Sequence, residues 1–456
     1  KPYDRFRFKH FCTFFLFFIG SIYFYKLIKW LHDRTDWAIL ASLFFILHPR
    51  LFAESFYNPK DLPLVALFTI SLYFLLRFTQ EKTIHRAIQF ALIAALTCDL
   101  RILGVLLPIV ATGIFVYDAG FAAHRNQGFG VFLKSLFSEI SRSFWVFLPV
   151  HLVAIIAFCP LLWHNALFFF EIFGYMSHFP WRYNTLFMGV SIFAPDNPWY
   201  FALVWIGITT PLLYLIAWIF GIGNVARQLF VNKGILYKNR IEQANIAAIL
   251  LSVAPLFLII AIHSVLYDGW RQLYFLYPAA CLLAINVGVK ISETTPSFNK
   301  WFFPVFFAVA SGYSAYQIQQ GYPYSNVYFN TLAADPVHRY EIDYWGLSYR
   351  EALQYIAKTA STASISTASI SENNISINST AHFVCDELNC LPQKDSKRFS
   401  CQSVDPEYYI TEFRGVAFDK APASNYIEIY SKTVYGMKIM SIFKRINNTE
   451  HLYIKR

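Results

Sequence analysis

The chain has 456 residues, of which 56% are hydrophobic, 19% aromatic and only 14% charged. Its mean hydropathy is +0.40, and a soluble domain is about one-quarter charged, so an ordinary soluble enzyme is excluded and a polytopic membrane protein is predicted. The net charge of +10 does not point to nucleic acid, because Lys and Arg lie in short loops between apolar stretches and are not massed on one segment.

Ten apolar segments are predicted to cross the membrane as helices: 11–28, 36–49, 62–77, 87–98, 102–117, 144–162, 199–220, 246–263, 273–289 and 302–318. The fourth and fifth are short, are separated only by "CDLRI", and read as a hairpin that crosses incompletely. Sorting the connections alternately gives one set with two to four Lys or Arg each, from "KLIKWLHDRTD" to "KISETTPSFNK". By the positive-inside rule that side is cytoplasmic. The outer set comprises residues 48–61, 99–101, 163–200, "LYDGWRQ" and everything after about residue 321. An even number of crossings leaves "KPYDRFRFKH" outside against the rule. An upstream helix is therefore expected, in keeping with a start at Lys1 and no signal peptide.

Residues 1–320 are thus predicted to form the helical bundle, and 321–456 a small α/β extracytoplasmic domain. In the latter, "DYWGLSYREALQYIAKTA" reads as an amphipathic helix. "AHFVCDEL", "EYYITEFRG", "NYIEIYSK" and "YGMKIMSIFKR" read as strands. The Ser/Thr/Ile run near 359–380 reads as a flexible loop. Cys385, Cys390 and Cys401 allow one disulfide with one thiol left over in an oxidising compartment. Asn374, Asn378 and Asn447 fit glycosylation triplets, which matter only in a eukaryotic host.

Three polar clusters fall on the outer side. "HPRLFAESFYNPKDLPLVALF" places His48, Arg50, Glu54, Asn58, Lys60 and Asp61 between two apolar helices. Asp61 before Leu62 and Pro63 suits a helix N-cap, but its neighbours go beyond capping. Cations around a carboxylate are the parts needed to hold a phosphate while the carboxylate orients a hydroxyl, an amine or a divalent metal ion. "HSVLYDGWRQLYFLYP" adds Tyr267, Asp268 and Arg271, with Tyr274 and its aromatic neighbours read as an interfacial belt. Arg271 stands at the start of an apolar span, at the depth of a lipid phosphate. The third segment, 163–200, with His164, His178 and Arg182 among many aromatics, reads as a helix lying in the interface. Asp99 and Arg101 form either a wet hairpin turn or an ionisable pair reaching a polar cavity. No zinc-type ligand cluster, Walker loop or nucleophile elbow occurs, and no cofactor is specified.

The motifs "HPRLFAESFYNPKDLP", "NPWYF" and "YDGWRQLYFLYP", with a mixed α/β outer tail, resemble the GT-C glycosyltransferases, most closely the protein O-mannosyltransferase and aminoarabinose transferase relatives. The resemblance covers about residues 1–355 and implies inverting transfer of a sugar from a polyprenyl-phosphate donor to a lipid, protein or glycan acceptor on the extracytoplasmic face. It makes Asp61 the catalytic carboxylate and Arg50, Lys60 and Arg271 the donor-phosphate contacts, with His48, Glu54, Asn58, Tyr267 and Asp268 in the substrate pocket. The family's principal carboxylate lies in a first outer loop that would precede Lys1, so the chain is expected to be an N-terminally truncated and catalytically incomplete piece. The expected setting is a bacterial inner membrane with a periplasmic tail, or the endoplasmic reticulum in a eukaryote, with membrane lipids but no nucleic acid as partners. A lipid-linked oligosaccharide ligase or polymerase, and a transporter or flippase, are the alternatives. Transporters usually carry internal repeats, and none is visible.

Overall fold

The computed structural model describes residues 2–123, 140–177, 181–294, 299–364, 375–380, 383–413 and 422–446. It is mostly helical. The helices are α1 (Pro2–His32), α2 (Thr35–Ile46), α3 (Pro49–Glu54), α4 (Asp61–Glu81), α5 (Ile84–Leu100), α6 (Leu106–Ala123), α7 (Arg142–Phe158), α8 (Phe168–Ser177), α9 (Phe201–Thr209), α10 (Leu212–Val231), α11 (Arg240–Ala261), α12 (Tyr277–Thr294), α13 (Phe302–Gly321) and α14 (Tyr349–Ser364). Six segments are long and apolar enough to cross a membrane: Asp4–His32, Asp61–Glu81, Ile102–Gly120, Leu212–Val231, Arg240–Ala261 and Arg271–Thr294. These six are the helices among the described residues that meet that length and apolarity, against ten crossings expected from the sequence. Helices α2 and α7 are apolar but shorter. The segment 199–220 is not one span, because Pro211, which has no N–H to donate, separates α9 from α10.

α4 is the central post. Its outward stretch is buried almost throughout, and it packs between α1, α5 and the segment leading into α12. α1 lies so close that Gly20 admits no side chain: a Cβ there would meet the Cα of Ala66 at 2.8 Å. Phe24, Phe44, Phe45, Phe68 and Tyr277 fill the core between these helices.

The two ends of the bundle differ in chemistry. One end gathers the turn after α2, the start of α4, the end of α5 and the start of α12. The other end holds the cation-rich connections, where Lys82 pairs with Asp118 at 2.7 Å and Arg34 reaches Glu293 at 3.9 Å.

The outer segment 163–200 is only partly the expected helix. α8 is followed by an antiparallel hairpin of β1 (Asn184–Phe187) and β2 (Val190–Phe193), in which Asn184 faces Phe193. The turn is made by Met188 and Gly189, both at positive φ. His178 lies outside the described residues.

The tail holds a five-stranded sheet in the order β4-β3-β5-β7-β6, built from β3 (Ile375–Ser379), β4 (Phe399–Ser400), β5 (Tyr408–Thr411), β6 (Tyr426–Val434) and β7 (Met437–Arg445). β3 runs parallel to both its neighbours, whereas β7 is antiparallel to β5 and β6. Two expectations are corrected here. The end of the Ser/Thr/Ile run is strand β3 and not loop, because Ile375 and Ile377 alternate with polar residues and are both buried. "AHFVCDEL" contains a short helix, Phe383–Glu387, whose Cys385 is bonded to Cys401, leaving Cys390 free. Residues 365–374, Asn374 and Asn447 lie outside the described residues. Asn378 is in β3 and donates to the Ser403 carbonyl at 3.0 Å.

Candidate functional site

The site grows from the turn between α3 and α4. Pro49 starts α3, and the chain then bends back so that Asn58 lies beneath the first turn of α4. The expected cap is corrected: Asn58, not Asp61, caps the helix. Its Oδ1 accepts from the backbone N–H groups of Lys60 at 3.2 Å and Asp61 at 3.0 Å. Its Nδ2 donates to Glu54 Oε2 at 2.7 Å and to Asp61 Oδ2 at 2.9 Å. One amide thereby holds two carboxylates in register.

Asp61 is 1% exposed and lies between two arginines. Arg101 comes from the end of α5, where a turn of 3-10 helix, Ile102–Val105, folds tightly back on the helix. The fold-back needs Gly104: a Cβ there would lie 2.5 Å from the Cys98 nitrogen. Arg101 pairs with Asp61 Oδ1. Arg271 is delivered by "YDGW", where Asp268 and Gly269 are both left-handed, at φ 56° and 74°. Its Nη1 donates to Asp61 Oδ2 at 3.1 Å and its Nη2 to Asp268 Oδ2 at 2.9 Å. The guanidinium also lies over the Tyr267 ring at 5.0 Å and the Trp345 ring at 5.1 Å.

Glu54 is fully buried and has three donors: Asn58, Tyr274 at 2.9 Å and Tyr344 at 2.8 Å. Burial pushes its carboxyl above the ordinary range, against the pull of these hydrogen bonds. Tyr344 and Trp345 stand on a loop organised by buried Asp343, which accepts from the Ser348 N–H at 3.0 Å, the Ser348 hydroxyl at 2.8 Å and Asn326 at 3.2 Å.

Of the residues singled out from the sequence, Asp61, Glu54, Asn58, Arg271, Asp268 and Tyr267 converge. Lys60, Arg50 and His48 make no hydrogen bond or ion pair with Asp61 among the described residues. Lys60 is exposed, and its side chain makes no hydrogen bond or ion pair with another described residue. Arg50 is 1% exposed: its Nε donates to the Tyr328 carbonyl at 2.9 Å and its guanidinium faces Phe329 at 4.7 Å, so it braces the bundle against residues 328–329. His48 is wholly buried, edge-on to Tyr277 at 5.4 Å and near Tyr214 and Trp270, and burial beside Arg50 pulls its pKa down to about 3. It stays neutral.

Arg101, Tyr274, Tyr344 and Trp345 complete the cluster and were not assigned to it from sequence. The signal for Arg101 was the ionisable break "CDLRI". For the tail pair it was the dense acid and aromatic string "EIDYWG" just beyond the last apolar stretch.

Chemically, two guanidiniums share one carboxylate at the mouth of the bundle, with side chains 18% and 11% exposed. Such a pair offers planar, bidentate donors to a phosphate that takes the carboxylate's place. Among the described residues no group of three or more His, Cys, Asp or Glu side chains is placed to hold a metal ion, and Asp61 and Asp268 are already committed to arginine. No model of a known protein family matches the chain, and no curated protein matches it.

Proposed function

We propose that the protein is an integral membrane glycosyltransferase of the GT-C kind, moving a sugar from a polyprenyl-phosphate donor to an acceptor hydroxyl or amine with inversion. The observation that carries this reading is the placement of Arg101 and Arg271 on either side of a buried Asp61. In the resting protein the carboxylate occupies the position of an anion. An arriving lipid phosphate takes over the two guanidiniums and frees Asp61 to accept a proton. The acceptor oxygen or nitrogen then bonds to the anomeric carbon, the bond from that carbon to the phosphate oxygen breaks, and its electron pair stays on the phosphate. Arg101 and Arg271 stabilise the charge that develops there. Asp268 and Tyr267 hold Arg271 in place, and Asn58 sets Asp61 relative to Glu54.

In this reading the Asp61 end faces the periplasm of a bacterial inner membrane. The Cys385–Cys401 bond suits that oxidising side, and the cation-rich connections suit the cytoplasmic one.

The test is reconstitution of the full-length protein in liposomes with lipid, peptide and glycan acceptors and polyprenyl-phosphate donors carrying mannose, glucose or aminoarabinose, followed by release of lipid phosphate. Turnover with at least one donor is expected, falling by about 100-fold or more in D61N and R271A, the scale of lost proton transfer or lost charge stabilisation. No turnover with any donor, or equal turnover in both variants, overturns the proposal.

A further inference from the structure

A cavity of 630 Å³ opens where α1, the turn after α3 and the tail domain meet, and Asp61, Arg101 and Arg271 do not line it. Its apolar wall is made by Phe52 and Tyr57 with Tyr322, and its polar wall by Arg350 and Gln354 of α14 and by Glu387. Arg350 and Gln354 are four residues apart, so they lie side by side on one face of the helix. Both are exposed, and neither makes a hydrogen bond or ion pair with another described residue. Glu351, next to them, is fully engaged: it accepts from Tyr324 at 2.7 Å, Tyr430 at 2.6 Å and Lys432 at 3.0 Å. The cavity therefore combines aromatic faces, an amide and a guanidinium that has no hydrogen-bond partner among the described residues, with the Glu387 carboxyl near it on the polar wall. Burial lifts Glu387 to about 7 against the pull of Cys390 and Arg350, so near neutrality this neighbour opposes Arg350 with less than a full charge.

Aromatic faces pack on the C–H faces of a sugar ring, an amide bonds hydroxyls in both directions, and an uncommitted guanidinium selects an oxyanion. The volume falls within the range of about 300–1,000 Å³ for small-molecule sites. We propose that this cavity is a second ligand site that takes an anionic sugar, a pyranose bearing a carboxylate or a phosphate, with the anion on Arg350, the hydroxyls on Gln354 and the ring against Phe52 and Tyr57. The Tyr57 ring is 5.9 Å from Trp345, whose own ring covers Arg271. The two sites thus share an aromatic wall, yet the second does not depend on the transferase reading.

The test is calorimetric titration of the full chain in detergent with glucuronate, glucose 6-phosphate, glucose and inorganic phosphate. At least one anionic sugar is expected to bind tenfold or more tightly than glucose or phosphate alone, and preference between the two identifies a carboxylate or a phosphate ester as the natural anion. R350A, at an exposed position, should weaken that binding at least tenfold and Q354A several-fold, while R271A leaves it within twofold. The proposal is overturned if neither anionic sugar outbinds glucose, if binding survives R350A, or if it is lost in R271A instead.

Discussion

Arg271 donates to Asp61 across 3.1 Å although 210 residues separate them in the chain. With Arg101 on the other oxygen, Asp61 has two cations where one would satisfy its charge. Removing either arginine leaves Asp61 paired with the other, although loss of Arg271 also takes the guanidinium from Asp268. Removing both leaves an uncompensated buried charge, which costs about 3–5 kcal/mol. R101A and R271A are each expected to lower stability modestly, and the double variant by more than their sum. Chemical unfolding of the four proteins in detergent measures the difference, and strict additivity would contradict the shared carboxylate.

Asn58 separates two carboxylates while capping α4. N58A loses the cap and the bridging donor, at about 1–3 kcal/mol. N58D keeps an acceptor for the cap but places a third carboxyl between Glu54 and Asp61, so it should be the worse of the two. Melting temperatures of the pair decide the order.

The tight turn at Gly104 makes Arg101's position sensitive to one methyl group. G104A forces the turn away from Cys98 and should reproduce the loss of activity that the proposed function expects of R101A, without touching a charged residue. An active G104A alongside an inactive R101A would show that the turn is not what places the guanidinium.

Glu387 gives the tail a pH dependence of definite sign. Burial raises its value from 4.5 to about 7, so the native state holds this proton more tightly than the unfolded chain. The stabilisation is complete below about pH 4.5 and is lost as the pH rises through about 7, by at most about 3 kcal/mol. The melting temperature of the natural protein relative to E387Q should fall over that interval. A difference that is flat or rises from pH 4.5 to 8 would contradict the burial argument.

Cys385 and Cys401 close a loop across a sequence separation of 16 residues, for which chain entropy supplies about 3 kcal/mol. The paired serine variant should unfold at clearly lower denaturant than the natural protein under oxidising conditions, and the two should converge when reductant is present. C390S should behave as the natural protein does.

Much of the bundle was legible because apolar runs of helical length dominate the chain, and charges are so few that each stands out against them. Asp61, Arg271 and Asp268 were visible for that reason. Depth was not. Arg50 and His48 are as polar in sequence as Asp61, and their burial comes from Phe329, Trp270 and Tyr277, far away in the chain. Arg101 was seen only as an interruption between helices, since nothing local says that the turn folds back on Cys98. Strand β3 was hidden because its two core isoleucines belong to a repetitive polar run, and only pairing with β4 and β5 gives them a partner. Helix bounds were less legible than helix existence: Pro211 breaks one apolar stretch into α9 and α10, and α2 and α7 are apolar but shorter than the six long helices.

The hydroxyl of Tyr344 on Glu54 and the carbonyl of Tyr328 on Arg50 stitch residues 328–344 into the helical body before the sheet begins. The outer region is consequently no portable module. A chimera spliced just after α13 discards both stitches and leaves Arg50 and Glu54 short of partners, whereas a seam placed beyond Ser348 keeps them and exchanges α14 together with the sheet.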